Sequence, residues 1–307
     1  MSEQPHDPSM PERLEQLEEE RNRIRLGGGQ ARLDKQHDRG KMTARERITK
    51  LVDEDTFQET GMFAKHRTTH FGMDKADAPA DGVVTGSGAV YGRPVHIASQ
   101  DFSVMGGSAG EMQSNKVVAM MKASATTGTP FVFINDSGGA RVQEGIDSLS
   151  GYGRVFYNNV LLSGLVPQVS IIAGPCAGGA AYSPALTDFI IQTRKANMFI
   201  TGPKVIESVT GEKVTADELG GADAERGDGE REEPGRQQRG IRHQRRQARD
   251  ESDHTRGESG NDEQQQIDAR HSFGMSATVS NRTPIAARSS SRSRVTCDTA
   301  SVTRTAR

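Results

Sequence analysis

The pattern of apolar and polar positions predicts two charged helices at the front of the chain. Residues 12–26 carry a few apolar residues at helical spacing among many charged ones, and the glycines at 27–29 predict where this helix ends. We expect it to pack along one edge of the domain with its charged surface in solvent. Residues 43–52 predict a second helix, because Thr43 and Glu46 have the spacing of a capping box.

Glycine-rich strands begin near residue 81. Residues 83–91 and 94–102 predict two strands joined by a tight turn, as in a hairpin. Further along, residues 189–192 and 197–200 predict two more strands, and residues 203–209 predict a helix that opens with proline. Strands and helices therefore alternate, which indicates an α/β layered domain.

One arrangement occurs three times between these strands: an apolar run, a pair of glycines and a helical segment. The second glycine of the pair is Gly107, Gly139 and Gly179 in turn, so successive units lie 32 and 40 residues apart. This spacing is typical of a strand–turn–helix unit that repeats as a right-handed superhelix. The apolar runs are residues 96–98, 131–134 and 169–172, and the helical segments are residues 111–125, a stretch from about 142, and residues 180–187.

Composition changes abruptly after residue 223. Residues 224–307 contain 16 arginines, no lysine and no leucine, and only eight of their 84 residues are Val, Ile, Leu, Met or Phe. So few large apolar side chains cannot offset the cost of ordering the chain, about 1–2 kcal/mol per residue. We therefore predict one folded domain, residues 1–223, followed by a low-complexity disordered tail, residues 224–307.

The arginine-rich tail has two interpretations. Arginine without lysine or leucine suggests an out-of-frame translation that replaces a C-terminal domain, which the other reading frames of the gene would reveal. The alternative is an RNA-binding tail, in which arginines bind phosphate and stack on bases. Acidic residues are interspersed throughout, and Phe273 is the only aromatic residue in this stretch. We therefore expect no nucleic-acid partner.

Charge and cysteine content argue against several other classes of protein. The net charge of −2 at pH 7 does not by itself indicate a nucleic-acid or membrane partner. The two cysteines, Cys176 and Cys297, give neither a metal-ligand spacing nor a disulfide framework. The sequence has no apolar run of about 18 residues and no signal-peptide core. We therefore expect a cytoplasmic protein without a metal centre.

Paired glycines between strand and helix can carry chemistry through the main chain. Glycine lets a ligand approach backbone N–H groups closely, because no Cβ stands in the way. Two such N–H groups form an oxyanion hole, which stabilises an enolate or a thioester carbonyl oxygen. The alternative interpretation is that the glycines only permit tight turns and close helix packing.

Side-chain nucleophiles are poorly supported by the sequence. Residues 106–110 (GGSAG) match the nucleophile-elbow motif of serine hydrolases, but a triad needs a later histidine. After Ser108, the only histidines lie in the tail: His243, His254 and His271. Cys176 lacks a placed base for the same reason, so we expect a small buried residue there. The chain is rich in main-chain donors, which favours chemistry whose reactive groups come from a substrate or cofactor.

Ten short motifs together resemble one enzyme family. They are residues 26–29 (LGGG), 35–37 (KQH), 40–47 (GKMTARER), 100–102 (QDF), 106–108 (GGS), 135–145 (NDSGGARVQEG), 174–180 (GPCAGGA), 182–185 (YSPA), 199–203 (FITGP) and 209–212 (VTGE). In this order they resemble the carboxyltransferase (β) subunit of acyl-CoA carboxylases, most of all the propionyl-CoA carboxylase type. The α subunit of methylmalonyl-CoA decarboxylase is a related type. The resemblance extends from about residue 13 to residue 222.

The resemblance implies a crotonase-like ββα superhelix that transfers a carboxyl group from carboxybiotin to the α-carbon of propionyl-CoA or a similar acyl-CoA. It implies that Gly178 and Gly179 donate the oxyanion-hole N–H groups, and that the neighbouring turns line the acyl-CoA crevice. The substrate-binding residues it implies are Gly106, Gly107, Gly138, Gly139, Ala140 and Ala177. It also implies a homo-oligomer, a partner biotin carboxylase or biotin carboxyl carrier subunit that brings carboxybiotin, and no metal in this chain.

The sequence departs from the family after residue 222. Family members continue into a second, similar domain that binds carboxybiotin, whereas the residues from 223 onward lack its pattern. We therefore expect the acyl-CoA-binding half alone, with no biotin-dependent carboxylation of propionyl-CoA by this chain. The alternatives are a non-enzymatic CoA-thioester-binding or subunit-association fragment, a subunit of the methylmalonyl-CoA decarboxylase type, or a stand-alone crotonase-type hydrolase or decarboxylase. The last would need a crevice acid or base, for which the candidates are Glu111, Asp136 and Glu144.

Overall fold

Helices and strands alternate along residues 8–222, which are the residues that the computed structural model describes. The helices are α1 (Met10–Arg25), α2 (Gln30–Asp38), α3 (Ala44–Leu51), α4 (Glu111–Thr127), α5 (Ile146–Leu162), α6 (Gly179–Ala185), α7 (Pro203–Thr210) and α8 (Ala216–Gly220). The strands are β1 (Gln58–Thr60), β2 (Val83–Val90), β3 (Arg93–Gln100), β4 (Phe131–Ser137), β5 (Gln168–Ala177), β6 (Phe189–Gln192) and β7 (Asn197–Phe199). The predicted α/β class is confirmed.

The predicted capping box and hairpin are both present. Glu46 N–H donates to Thr43 Oγ1 (3.3 Å) and Thr43 N–H donates to Glu46 Oε2 (2.7 Å), which fixes the start of α3. Strands β2 and β3 pair antiparallel over their whole lengths. Helix α5 begins at Ile146 rather than near residue 142, because a short 3-10 turn and Gly145, with φ of 54°, come first.

The seven strands form one sheet in the order β1-β2-β3-β4-β5-β6, with β7 also paired to β5. Strands β3, β4, β5 and β6 run parallel to one another, whereas β2 is antiparallel to β3. Every residue of β4 is buried, as expected for a central parallel strand covered on both faces. Strand β5 pairs with β6 through its first half and with β7 through its last three residues.

Separate apolar clusters cover the two faces of the sheet. One face packs against α3 through a cluster that includes Ile48, Leu51 and Ile134. The other face packs against α4 and α5 through a cluster that includes Met121, Phe133 and Leu162. A third cluster lies under α6 and β7. The boundary predicted at residue 223 and the tail at 224–307 lie outside the described residues.

Candidate active site

The three glycine pairs lie at the carboxyl ends of three neighbouring strands. Strands β3, β4 and β5 are adjacent and parallel, and a turn with one glycine pair follows each of them. We call these the first turn (residues 101–110), the second turn (residues 138–141) and the third turn (residues 177–179). Because carboxyl ends of parallel strands meet at one edge of a sheet, the fold brings the three turns together.

Backbone hydrogen bonds join the first turn to the second. Gly138 N–H donates to the carbonyl oxygen of Gly106 (3.0 Å). Ala109 N–H donates to Gly139 O (2.9 Å), and Arg141 N–H donates to Ala109 O (2.9 Å). These bonds make a short parallel bridge, which fixes the path of the second turn against the first.

Glycine, which has no side chain, allows the turns to approach each other closely. A Cβ at Gly107 would overlap the carbonyl oxygen of Asp136, so the first turn can touch the end of β4 only with glycine there. A Cβ at Gly139 would lie 2.9 Å from Ala177 O, which joins the second turn to the third in the same way. The six positions predicted to bind substrate, and the two predicted to form the oxyanion hole, therefore lie in three contacting turns.

The second and third turns each carry a backbone N–H group, that of Ala140 and that of Gly179, with no acceptor among residues 8–222. Ala140 N–H faces away from Ala109, because the bridge to Ala109 uses the groups of Gly139 and Arg141 instead. Gly179 N–H, at the first residue of α6, also has no acceptor in this range. Backbone N–H groups without an internal acceptor can donate to the oxygen of a ligand.

The two glycines of the third turn have different roles in the structure. Gly178 N–H already donates to Phe199 O (3.1 Å), so it is not a free donor. Its φ of 58° and ψ of −123° are a conformation that requires glycine, and they direct the chain into α6. Gly179 lies against the ring of Tyr152, whose Cε2 would be 3.0 Å from an added Cβ. Burial also raises the pKa of Tyr152, so this hydroxyl stays protonated.

The start of α4, which follows the first turn, is occupied by carboxylates of the same chain. Glu144 Oε2 accepts from Glu111 N–H (2.7 Å) and Asp81 Oδ2 accepts from Gln113 N–H (2.7 Å). Both carboxylates also pair with the buried Arg141 guanidinium. Carboxylates of this chain therefore already accept from two of the N–H groups at the start of α4, those of Glu111 and Gln113.

Asp136 lies in a second buried ion cluster on the opposite face of the sheet. Its carboxylate is 2.8 Å from Lys41 Nζ and 2.8 Å from Arg47 Nη2, and its side chain is 1% exposed. Lys41 also sits 4.7 Å above the ring of Phe102. Burial lowers the pKa of Lys41, while the Asp136 charge acts in the opposite direction.

The alternative acid, base and nucleophile candidates are engaged elsewhere. Asp136 and Glu144 are held in the ion pairs just described, and the Glu111 carboxylate pairs with Arg67 (2.6 Å). Ser108 Oγ donates to a backbone carbonyl, and Cys176 is fully buried, which raises the pKa of its thiol. Within residues 8–222, no group of three or more His, Cys, Asp or Glu side chains could hold a metal ion. In the same range, no helix has the length and apolar character needed to cross a bilayer.

The ion pairs of Arg141 are the part of the site that sequence reasoning missed. Arg141 and Glu144 stand three residues apart, which is a pairing distance on one helical turn and could have been noticed. Asp81 lies 60 residues earlier in the chain, and only the fold brings it to Arg141.

Comparison with known proteins gives the same family as the motifs. Residues 35–227 match the carboxyl transferase domain. The methylmalonyl-CoA carboxyltransferase 12S subunit of Propionibacterium freudenreichii subsp. shermanii is 69% identical over 216 residues, which are 70% of this chain and 41% of that protein. The propionyl-CoA carboxylase beta chain of Roseobacter denitrificans is 56% identical over 210 residues, which are 68% of this chain and 41% of that protein.

A solved structure agrees with the fold. The crystal structure of transcarboxylase 12S, with methylmalonyl-coenzyme A and methylmalonic acid bound, matches with a TM-score of 0.70 at 68% identity. The match covers 71% of this chain and 43% of that one, so this chain spans about two-fifths of the length of these relatives. The predicted crotonase-like fold is confirmed by this match. The chain therefore belongs to the carboxyl transferase domain family of enzymes.

Proposed function

We propose that residues 8–222 form the acyl-CoA side of a biotin-dependent carboxyltransferase. The observation that carries this proposal is the pair of free N–H groups at Ala140 and Gly179, in two turns that contact each other. N–H donors from two contacting turns suit a thioester carbonyl oxygen, which gains negative charge when the α-carbon loses a proton and an enolate forms. This assignment moves one donor from Gly178 to Ala140, since the Gly178 N–H bonds to Phe199 O.

The shape of the turns supports a role for the main chain rather than for side chains. Carboxylates near the turns are held in ion pairs, and hydrogen bonds fix the turns to each other. Donors that are already fixed need no reorganisation when charge develops on a bound oxygen. We propose propionyl-CoA or a similar acyl-CoA as the substrate, in keeping with the methylmalonyl-CoA found on transcarboxylase 12S.

The carboxyl donor belongs to the parts of the family fold beyond residue 222. Carboxybiotin supplies the carboxyl group when it is bound, and we assign none of residues 8–222 to it. We propose that a biotin carboxyl carrier partner presents it to a second domain of the family type. Carboxylation measured with this chain alone would contradict the need for that second domain.

A change at Gly179 tests the proposal. Gly179 is the first residue of α6, a position where proline fits a helix, so Gly179→Pro deletes the N–H with little demand on the backbone. We expect the wild-type chain to bind propionyl-CoA about 10- to 100-fold more tightly than S-propyl-CoA, a thioether without the carbonyl oxygen, because two hydrogen bonds contribute about 1 kcal/mol each. Gly179→Pro should reduce this preference about 5-fold in calorimetric titrations.

Gly179→Ala is the matched control for this experiment. It adds the same Cβ against the Tyr152 ring but keeps the N–H, so most of the thioester preference should remain. A wild-type chain that binds both ligands equally would contradict the proposal. Equal losses of preference in the Pro and Ala variants would assign the effect to crowding at Tyr152 instead.

Subunit association is a second candidate function, which an apolar surface favours. Helix α5 and the turn before it expose several large apolar side chains to solvent, a composition typical of an interface. They are Val142, Ile146, Leu149, Tyr157, Val160 and Leu161. The related transcarboxylase 12S assembles as a hexamer, and we propose that this chain also forms a homo-oligomer, which sedimentation would detect.

A further inference from the structure

We infer that Arg141 is a positioning residue for the Ala140 amide, and that its buried contacts with Asp81 and Glu144 hold the second turn to the start of α4. The inference rests on the proposed function, in which Ala140 N–H is one of two donors to the thioester oxygen. Arg141 itself reaches no open surface, since its side chain is 0% exposed. Its role is therefore to fix the amide next to it in the chain.

Contacts on several sides hold the Arg141 guanidinium in place. It forms ion pairs with Asp81 and with Glu144 (2.8 Å), and its Nη2 donates to Ser108 O (3.0 Å). These partners come from the segment before β2, from the residues after the second turn and from the first turn. A planar guanidinium with this set of acceptors cannot rotate without breaking several charged hydrogen bonds at once.

The charges of this cluster balance only when the helix start is included. One guanidinium faces two buried carboxylates, which leaves an excess of negative charge. The second carboxylate oxygens of Asp81 and Glu144 accept hydrogen bonds from the backbone N–H groups of Gln113 and Glu111, at the N-terminus of α4. The helix dipole places about half a positive charge there. Gly110, just before α4, leaves the space in which Glu144 and Arg141 meet. Arg141, both carboxylates and α4 therefore form one rigid unit.

The backbone transmits this rigidity to Ala140. Gly139 O and Arg141 N–H are both bonded to Ala109, so the residues on either side of Ala140 are fixed. Because the Arg141 side chain is anchored as well, the peptide group that carries the Ala140 N–H cannot rotate about the direction of the chain. Its N–H is left facing away from Ala109, toward the side of the second turn that carries no internal bond.

A strained segment at Asp81 supports the same interpretation. Ala80 and Asp81 have φ values of 51° and 50°, in the left-handed region that non-glycine residues seldom adopt, and both are buried. Such strain persists where surrounding contacts over-determine it, which is common around functional sites. Here the strained turn directs the Asp81 carboxylate to both Arg141 and Gln113 N–H.

The test compares two ligands on the same variant of the full chain. The ratio of the dissociation constants of S-propyl-CoA and propionyl-CoA measures the contribution of the carbonyl oxygen, and partial unfolding cancels from it. In Arg141→Lys we expect the ratio to fall to about 3-fold or less, from about 10-fold or more in the wild type, with S-propyl-CoA affinity unchanged. Glu144→Gln keeps the side-chain shape and should lower the ratio less than Arg141→Lys does. It replaces Arg141→Lys in the test if that variant does not fold.

Arg47→Lys is the matched control, since Arg47 is an equally buried ion-paired arginine on the opposite face of the sheet. It should lower the melting temperature and leave the ratio at its wild-type value. If the ratio is unchanged in both Arg141→Lys and Glu144→Gln, the positioning role of Arg141 is overturned while the proposed function stands. This holds whether or not the two ligands lose affinity equally. A wild-type chain without any preference for the thioester would overturn the proposed function, and the positioning role with it.

Discussion

Replacing Asp136 with asparagine is expected to lower the free energy of unfolding by about 3–5 kcal/mol, because one removed charge leaves two buried cations without their partner. Lys41 and Arg47 are each 2.8 Å from this carboxylate and are themselves nearly inaccessible to water. Asparagine has almost the same shape, so the close contact with Gly174 is unchanged and the loss reports charge rather than packing. Urea unfolding followed by circular dichroism would measure it.

The control and the pH dependence make this prediction sharper. Asp77→Asn removes a half-exposed ion pair with Arg23 and should cost less than about 1 kcal/mol. Burial already lowers the pKa of Lys41, and loss of the Asp136 charge should lower it further. A folded-state pKa below the unfolded value means that stability returns as pH rises through the folded-state pKa, so the deficit of Asp136→Asn should shrink at alkaline pH. A deficit as small as that of Asp77→Asn would contradict the burial of this cluster.

Substituting alanine for Gly107 is expected to destabilise the protein by about 3–5 kcal/mol, whereas Gly106→Ala should cost only about 1–2 kcal/mol. Both glycines have positive φ, 62° and 66°, so the conformational strain is matched. A Cβ at Gly106 meets open space, but a Cβ at Gly107 meets the carbonyl oxygen of Asp136. The difference between the variants, measured by urea unfolding, therefore isolates the close approach of the first turn to β4.

The same pair of variants reports on the candidate site. If the first turn moves in Gly107→Ala, the bond from Gly138 N–H to Gly106 O is strained, and the second turn should move with it. We expect Gly107→Ala to lose thioester preference as well as stability, and Gly106→Ala to keep its preference. Equal destabilisation by the two substitutions would show that the turn has room that the structure does not indicate.

Most of the fold could be predicted from the sequence, since each strong element carries its own local signal. The strand of β4 is a continuous apolar run, α3 has a capping box, and α7 opens with proline. Helix α2 was not predicted, because seven of its nine residues are polar and only Gln36 is buried. Strand β1 was not predicted either, because its three residues form a strand only where they pair with β2.

The three turns of the candidate site could be predicted in position, but their hydrogen bonding could not. Paired glycines at regular spacing located the turns, because turn geometry is local and requires particular residues. Which N–H groups are free depends on distant partners: Gly178 N–H bonds to Phe199 O, and α4 is capped by Glu144 and Asp81. No local pattern contains that information, so Gly178 could be predicted as a donor while its tertiary partner remained unseen.

The long sequence separations within the Arg141 cluster bear on how the protein folds. Arg141 pairs with Asp81 across 60 residues, and Glu144 reaches Glu111 N–H across 33. Closing such loops costs entropy that later contacts must offset, so we expect pairings of this kind to form late in folding. Helices depend mostly on local sequence, and we expect the second turn to become fixed only after β3, α4 and β4 have assembled. The proposed ability to hold a thioester oxygen should then be among the last properties that the folding chain acquires.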